Sequence, residues 1–160
     1  MQIYILRHGE AESREARKPD SKRALTAVGK SDVRRVLRQA RRSGLDPEHV
    51  FSSPLLRAQQ TAAVAAKLFG KKNVVGTKSL LPAAKPEVMW KELGALRNVE
   101  QVLLAGHEPH LSHLIRFLLE AAIAVDLKKG ALVRIDCASL LGPPRGVLKW
   151  ILTPRLVRGH

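Results

Sequence analysis

Residues 1–10 read MQIYILRHGE, and their reading decides the fold. Gln2 to Leu6 alternates only weakly between polar and apolar residues, so the run predicts a buried strand and not a half-exposed one. Arg7, His8, Gly9 and Glu10 follow without a spacer. In open α/β sheets ligands sit in the crevice beyond the carboxyl ends of the strands, which makes these four residues a candidate site. Gly9 lets the backbone turn sharply and lets an anion approach closely. A neutral imidazole attacks phosphorus while a guanidinium fork holds the anionic oxygens, so an Arg-His pair at a strand end fits covalent phosphoryl chemistry. The same residues also fit a solvent-facing pair with no chemistry, because a motif this short is weakly specific.

Outward from this stretch, residues 11–23 carry Arg14, Arg17, Lys18, Lys22 and Arg23 around Pro19 and Asp20 with no apolar period, which predicts an exposed loop or a flap over the site. Thr26 is a candidate N-cap for a helix that buries Val28, Val33, Val36, Leu37 and Ala40 and stops at Gly44. Its other face is a basic stripe of Lys30, Arg34, Arg38, Arg41 and Arg42. Such a stripe is either a solvated face or a docking face for an acidic partner. His49 to Phe51 predicts a second strand, ending in Ser52, Ser53 and Pro54; Pro54 suits the first turn of the next helix and Ser53 its cap. That helix places Leu55, Ala58, Ala62, Ala65 and Phe69 on one face and ends at Gly70. Arg57 lies in its first turn, where the helix dipole favours anions, so a bound anion in front of the guanidinium explains the position best.

Val74 and Val75 predict a brief strand, residues 78–86 a loop, and residues 87–96 a helix. A second clear buried strand over 101–105 delivers His107, Glu108, Pro109 and His110, with Pro109 in the first turn of a helix that buries Leu111, Leu114, Ile115, Leu118 and Leu119. Residues 130–137 and 147–152, around Gly142, Pro143 and Pro144, predict a hairpin at the sheet edge, and residues 154–160 a frayed end. Parallel strands put their carboxyl ends on one side, so Arg7, His8, Arg57 and His107 converge. Two imidazoles and two guanidiniums around one point form a phosphate-handling set.

At 160 residues the length predicts one domain over 1–160. One cysteine, Cys137, excludes an internal disulfide and reads as a small core residue. No signal-like segment precedes the first strand and no run of about 18 apolar residues is present, so the expectation is a cytoplasmic protein with no membrane partner. The formal net charge of +14 predicts a surface that attracts acidic or polyanionic partners, without choosing among them.

RHGE at the first strand, Leu25-Thr26 with Gly29 in the next helix, SSPLLRAQQTA, and the late AGHEPHLS together resemble the histidine phosphatase superfamily with its phosphoglycerate mutase-like fold. The short chain and the form of the last motif are similar to the SixA-type phosphohistidine phosphatases, and the likeness spans essentially the whole chain. The resemblance implies a three-layer α/β/α fold on a mostly parallel sheet with an antiparallel edge. By motif position it implies His8 as the nucleophile that becomes phosphorylated, with Arg7, Arg57 and His107 as the phosphate pocket and Gly9 beside it. Glu10, Glu108 and Ser13 are possible accessory residues. The second ring nitrogen of His8 is expected to donate to a nearby backbone carbonyl, fixing the tautomer.

One departure from the family pattern bears on the substrate. Members acting on phosphate esters resemble one another in having an acid after the second motif that protonates the leaving alkoxide, whereas residues 79–86 here hold no carboxylate and Glu87 reads as a first-turn helix residue. Imidazole, with a pKa of about 6.5, leaves phosphorus far more easily than an alkoxide, so the missing acid favours an N-phosphoryl substrate. The implied partner is a phosphohistidine-bearing protein such as a phosphotransfer domain. Glu10 and Glu12 remain possible proton donors. No cofactor is implied, and no metal: HEPH at 107–110 lacks the HExxH spacing that places two histidines on one helix face, and His110 and His113 read as pocket rim and helix surface. Trp90 and Trp150 read as packing residues. Two rival readings keep part of this picture. One is a phosphatase of small esters, nucleotides or polyphosphate; the other is a non-catalytic basic anion-binding module, against which the absence of any nucleic-acid motif weighs.

Overall fold

Strand β1 (Gln2–Arg7) lies inside a six-stranded sheet of order β3-β2-β4-β1-β5-β6. The computed structural model describes residues 1–158. Ile3 and Ile5 face one core and Tyr4 and Leu6 the other, so both faces of β1 are covered, as its continuous apolar run requires. Strands β2 (His49–Ser52), β3 (Val74–Gly76) and β4 (Gln101–Gly106) run parallel with it. Strands β5 (Leu132–Cys137) and β6 (Gly146–Leu152) form the antiparallel edge. Helices α1 (Ala27–Arg42) and α2 (Leu56–Phe69) cover one face. Helices α3 (Pro86–Gly94) and α4 (His110–Leu119) cover the other, completing the three-layer α/β/α fold.

Register places the site. Arg7 is level with Gly106, His8 N–H donates to the Gly106 carbonyl at 3.0 Å, and Ser53 N–H donates to Ala105 at 3.0 Å. The ends of β1, β4 and β2 therefore stop at one height, and the residues after them share one crevice.

Local chemistry sets the helix limits. Thr26 caps α1 by accepting from Gly29 N–H at 3.0 Å, and Gly70 ends α2 at φ 65°, a conformation that glycine adopts without a Cβ penalty. Helix α2 starts at Leu56, two residues later than Pro54 predicts, because the Ser53 hydroxyl accepts from Leu55 N–H at 3.3 Å and is also held by His107. Pro109 stands just before α4 and not inside its first turn. The 78–86 stretch is more ordered than a plain loop: Lys78–Leu80 forms a 3-10 turn with Ser79 and Leu80 buried. The predicted frayed end is a helix, α5 (Pro154–Arg158), packed on α1 and tied by the Arg158–Asp32 ion pair. Gly159 and His160 lie outside the described residues. Val28, expected in the core, is exposed.

Cys137 and Trp90 are buried, Trp90 donates to the Gly142 carbonyl at 3.0 Å, and Trp150 stacks at a tilt on Tyr4 with ring centroids 5.8 Å apart. Among the described residues no helix is long and apolar enough to cross a membrane.

Packing adds a second requirement for glycine at position 9. A Cβ there would stand 2.7 Å from the Gly29 carbonyl oxygen of α1, and one on Gly29 would stand 2.1 Å from the Glu10 carbonyl oxygen. The two glycines let the first turn of α1 press directly on the site backbone. Gly29→Ala is expected to destabilise the protein by about 3 kcal/mol or more, since the methyl group meets backbone that no rotamer change can move. Gly76→Ala, where nothing lies within 4 Å, is expected to change stability by less than about 0.5 kcal/mol. Urea unfolding of the two variants checks this, and equal midpoints would refute the packing argument.

Candidate active site

His8, Arg57 and His107 are 7 %, 4 % and 2 % exposed, and Arg7 is half-buried. The ring centroids of His8 and His107 are 5.1 Å apart. His8 Nδ1 lies 2.7 Å from the Gly9 carbonyl oxygen. A carbonyl only accepts, so Nδ1 carries the proton and Nε2 keeps its lone pair, which is the tautomer expected from the sequence. His107 Nε2 is 2.8 Å from the Ser53 hydroxyl. Arg7 Nη1 donates to the Leu127 carbonyl at 2.5 Å. Thr61 ties the pieces together: its hydroxyl accepts from Gly9 N–H at 3.2 Å and donates to the Arg57 carbonyl at 2.7 Å. Buried Arg7 Nε, Arg57 Nε and His107 Nδ1 have no hydrogen-bond partner among the described residues.

Three residues of the crevice were not singled out as site residues from the sequence. Asp20, in a 3-10 turn (Asp20–Lys22), places its carbonyl 2.8 Å from Arg57 Nη1 and its carboxylate 3.1 Å from Arg57 Nη2. The same carboxylate accepts from Arg23 Nε at 2.8 Å and lies 3.4 Å from Arg14. Residues 14–23 are thus a strap tied onto α2, not a free flap, and the Ala11–Leu25 bridge closes its base. The arginines hold the Asp20 carboxyl below its usual range against the opposing effect of desolvation. Ser53 and Thr61, also missed as site residues, lie inside the SSPLLRAQQTA stretch already singled out.

The accessory candidates fall elsewhere. Glu10 and Ser13 line a neighbouring cleft of about 1270 Å3 with Arg14, Lys128 and Lys129. Glu108 accepts from the Ser112 hydroxyl on α4. Glu87 lies in the first turn of α3, in a groove with Trp90 and Phe117. His113 is exposed, but His110 is fully buried with neither ring nitrogen partnered among the described residues, a correction to its expected place on the rim. Among the described residues no group of three or more His, Cys, Asp or Glu side chains is placed to hold a metal ion.

Residues 3–80 match the sequence profile of the histidine phosphatase superfamily (branch 1). Phosphohistidine phosphatase SixA of Escherichia coli K12 is 28% identical, with 96% of this chain and 94% of that protein covered. The solved structure of the protein histidine phosphatase SixA complexed with tungstate superposes with a TM-score of 0.87 at 25% identity, covering 98% of this chain and 99% of the other. The chain belongs to the histidine phosphatase superfamily. An uncharacterized protein of Picosynechococcus is 32% identical over 113 residues, covering 69% of this chain and 68% of that protein. Membership supports a hydrolase with a histidine nucleophile.

Burial and the neighbouring charges of the crevice keep both imidazoles neutral at pH 7. Burial lowers His8 to about 4, helped by Arg57, Arg7 and Lys129 and opposed by the Gly9 bond. Burial likewise lowers His107 to about 3, with His8 and Arg57 adding to it, and His110 to about 4. If neutral His8 is the reacting form, kcat/KM stays level from pH 7 to about 5 and falls only as the pH approaches 4, where an ordinary histidine would already lose activity near 6.5. Stability follows the same groups. Their folded pKa values lie below the unfolded value of about 6.5, so the unfolded chain binds more protons and stability drops as the pH falls from about 6.5 toward 4. Rate profiles corrected for uncatalysed hydrolysis, with urea midpoints at each pH, test both; an acid limb near 6.5 would contradict the buried, neutral His8.

Proposed function

We propose that this chain hydrolyses the phosphoryl group of phosphohistidine on a partner protein, through a covalent intermediate on His8. The observation that carries the reading is the His8 tautomer: with Nδ1–H held by Gly9, Nε2 is an unprotonated nucleophile among guanidiniums. In the first step the Nε2 lone pair forms a bond to phosphorus while the phosphorus–nitrogen bond of the substrate breaks and its electron pair leaves with the imidazole, which takes a proton from solvent. In the second step water attacks phospho-His8, the new bond breaks, inorganic phosphate departs and neutral His8 returns. Arg7, Arg57 and His107 surround the phosphoryl oxygens, and their unpartnered Nε and Nδ1 groups are buried donors that an oxyanion satisfies. Guanidiniums supply the charge that a metal ion supplies elsewhere, so the proposed reaction needs none.

The state of the carboxylates supports an N-phosphoryl substrate. Asp20 is ionised and held by three arginines, Glu108 serves α4, and Glu87 sits in the groove with Trp90. Each of the three is engaged elsewhere, by the arginines, by Ser112 or in the groove of α3. A substrate whose leaving group is imidazole tolerates that arrangement better than an alkyl ester. The similarity to proteins described as phosphohistidine phosphatases points the same way. A phosphotransfer domain is the partner that fits, and the +14 charge favours an acidic one.

The test compares phosphate release from a phosphorylated phosphotransfer domain and from O-phosphoserine. The domain is expected to be the better substrate by at least about 100-fold in kcat/KM, the scale of missing general acid catalysis. Faster turnover of phosphoserine or of polyphosphate would move the substrate to those compounds. Turnover of neither would leave a basic anion-binding relative.

A further inference from the structure

Between α1 and α2 runs a groove of about 660 Å3. Ala63, Val64 and Leu68 form its floor, Lys30, Arg34 and Arg38 of α1 one wall, Lys67 of α2 the other, and Gln60 one end. The lining holds four cations and no carboxylate. None of the four takes part in an ion pair among the described residues. Like charges at i, i+4 along α1 destabilise the helix, so an unneutralised wall of this kind costs stability that the fold does not recover internally. The larger cleft beside the site differs. Its Arg14, Arg23, Lys128 and Arg158 are already paired with Asp20, Asp126 or Asp32.

Both helices that line the groove begin at the crevice. The first turn of α1 presses on Glu10 through Gly29, and Gln60 stands three residues beyond Arg57 on α2. Lys30 to Arg38 spans about 12 Å, a little over two helical turns. A helix with carboxylates on its flanks and small or aliphatic residues between them matches both the walls and the floor. A nucleic acid or polyphosphate offers no apolar side to Ala63, Val64 and Leu68, and the lining has no aromatic ring on which a base would stack.

We propose that the α1–α2 groove docks an acidic amphipathic helix of the phosphohistidine-bearing partner, an assignment of the docking surface that rests on the function proposed above. Charge then serves encounter, and the apolar floor fixes the register that brings the phosphoryl group to His8.

The experiment compares two double reversals of equal charge on one helix: Arg34→Glu with Arg38→Glu in the groove, and Arg35→Glu with Arg42→Glu on exposed positions outside it. Each is assayed on a phosphorylated phosphotransfer domain and on phosphoimidazole at low and high salt. The groove pair is expected to lower kcat/KM on the domain by at least about tenfold at low salt, mainly through KM, and the outer pair by less than about threefold. Phosphoimidazole turnover stays at the wild-type level in both. Equal losses for the two pairs mean net-charge steering, and no loss for the groove pair means no docking there; either overturns the proposal. If the wild-type protein cleaves neither substrate, the functional reading fails, and the groove is judged by binding. A roughly 16-residue Glu/Leu helical peptide is expected to bind at least about tenfold tighter than its scrambled form, and only when Arg34 and Arg38 are intact. Equal binding of the scrambled peptide, or of an oligonucleotide, marks a generic polyanion patch and refutes it.

Discussion

His8→Ala is expected to abolish phosphohistidine hydrolysis, lowering single-turnover phosphate release by at least about 1000-fold, the scale seen when an enzyme loses its nucleophile. The fold should survive. His8 gives the structure one ring hydrogen bond, to the carbonyl of its own neighbour Gly9, and the strand that delivers it is fixed by its pairing with β4 and β5. Binding should survive too, because Arg7, Arg57 and His107 are untouched; inorganic phosphate or tungstate should protect the variant against thermal unfolding about as well as the wild type. The intermediate gives a second readout. Quenching the wild type during turnover of a 32P-labelled substrate should trap label that is acid-labile and alkali-stable, as a phosphoramidate is, and the variant should trap none. A variant retaining a tenth of the rate, or still taking up label, would mean that another group attacks phosphorus.

How much of this was legible beforehand differs from residue to residue for physical reasons. The β1 run, the Thr26 cap and the Gly70 stop are local: neighbouring residues specify them, and the structure has all three. His8, Arg7, Arg57 and His107 were legible as a group because each lies at or beyond the carboxyl end of a strand, and parallel strands end on one side. Gly9 carries a further constraint that its neighbours in sequence do not reveal. Its constraint comes from Gly29, twenty positions on, and only the packing of α1 exposes it. Asp20 was hidden for a similar reason. The loop over residues 11–23 also holds Glu12 and Glu15, and nothing local says which carboxylate reaches an arginine 37 residues away. Helix α5 depends on α1 and Asp32 in the same manner, since a five-residue helix has too few internal hydrogen bonds to stand alone. The two unpartnered nitrogens of His110 likewise follow from burial that no periodicity reveals.

Arg57 ties the strap and, in the proposed reaction, holds the phosphoryl group, and substitution should split the two. Arg57→Ala is expected to lower kcat/KM by about 100- to 1000-fold, the usual cost of removing one preorganised donor from developing charge. It also removes both η-nitrogen contacts of Asp20, so the strap loses its hold on α2 while Arg14 and Arg23 remain. Trypsin should then cut after Arg14 or Arg17 several times faster than in the wild type, in step with the equilibrium population of the opened strap. The Asp20 carboxyl, freed of the buried guanidinium, should titrate closer to its ordinary range. Arg57→Lys keeps the charge but not the planar fork, so it should recover part of the rate and little of the protease resistance. Asp20→Asn reverses the emphasis: the backbone carbonyl still accepts from Arg57 Nη1, catalysis should change less than in Arg57→Ala, and the strap should loosen. If Arg57→Ala loses activity with unchanged trypsin sensitivity, Asp20 does not tie the strap through Arg57. If the strap opens while kcat/KM holds, Arg57 is the strap's anchor and the phosphoryl group is held by Arg7 and His107 without it.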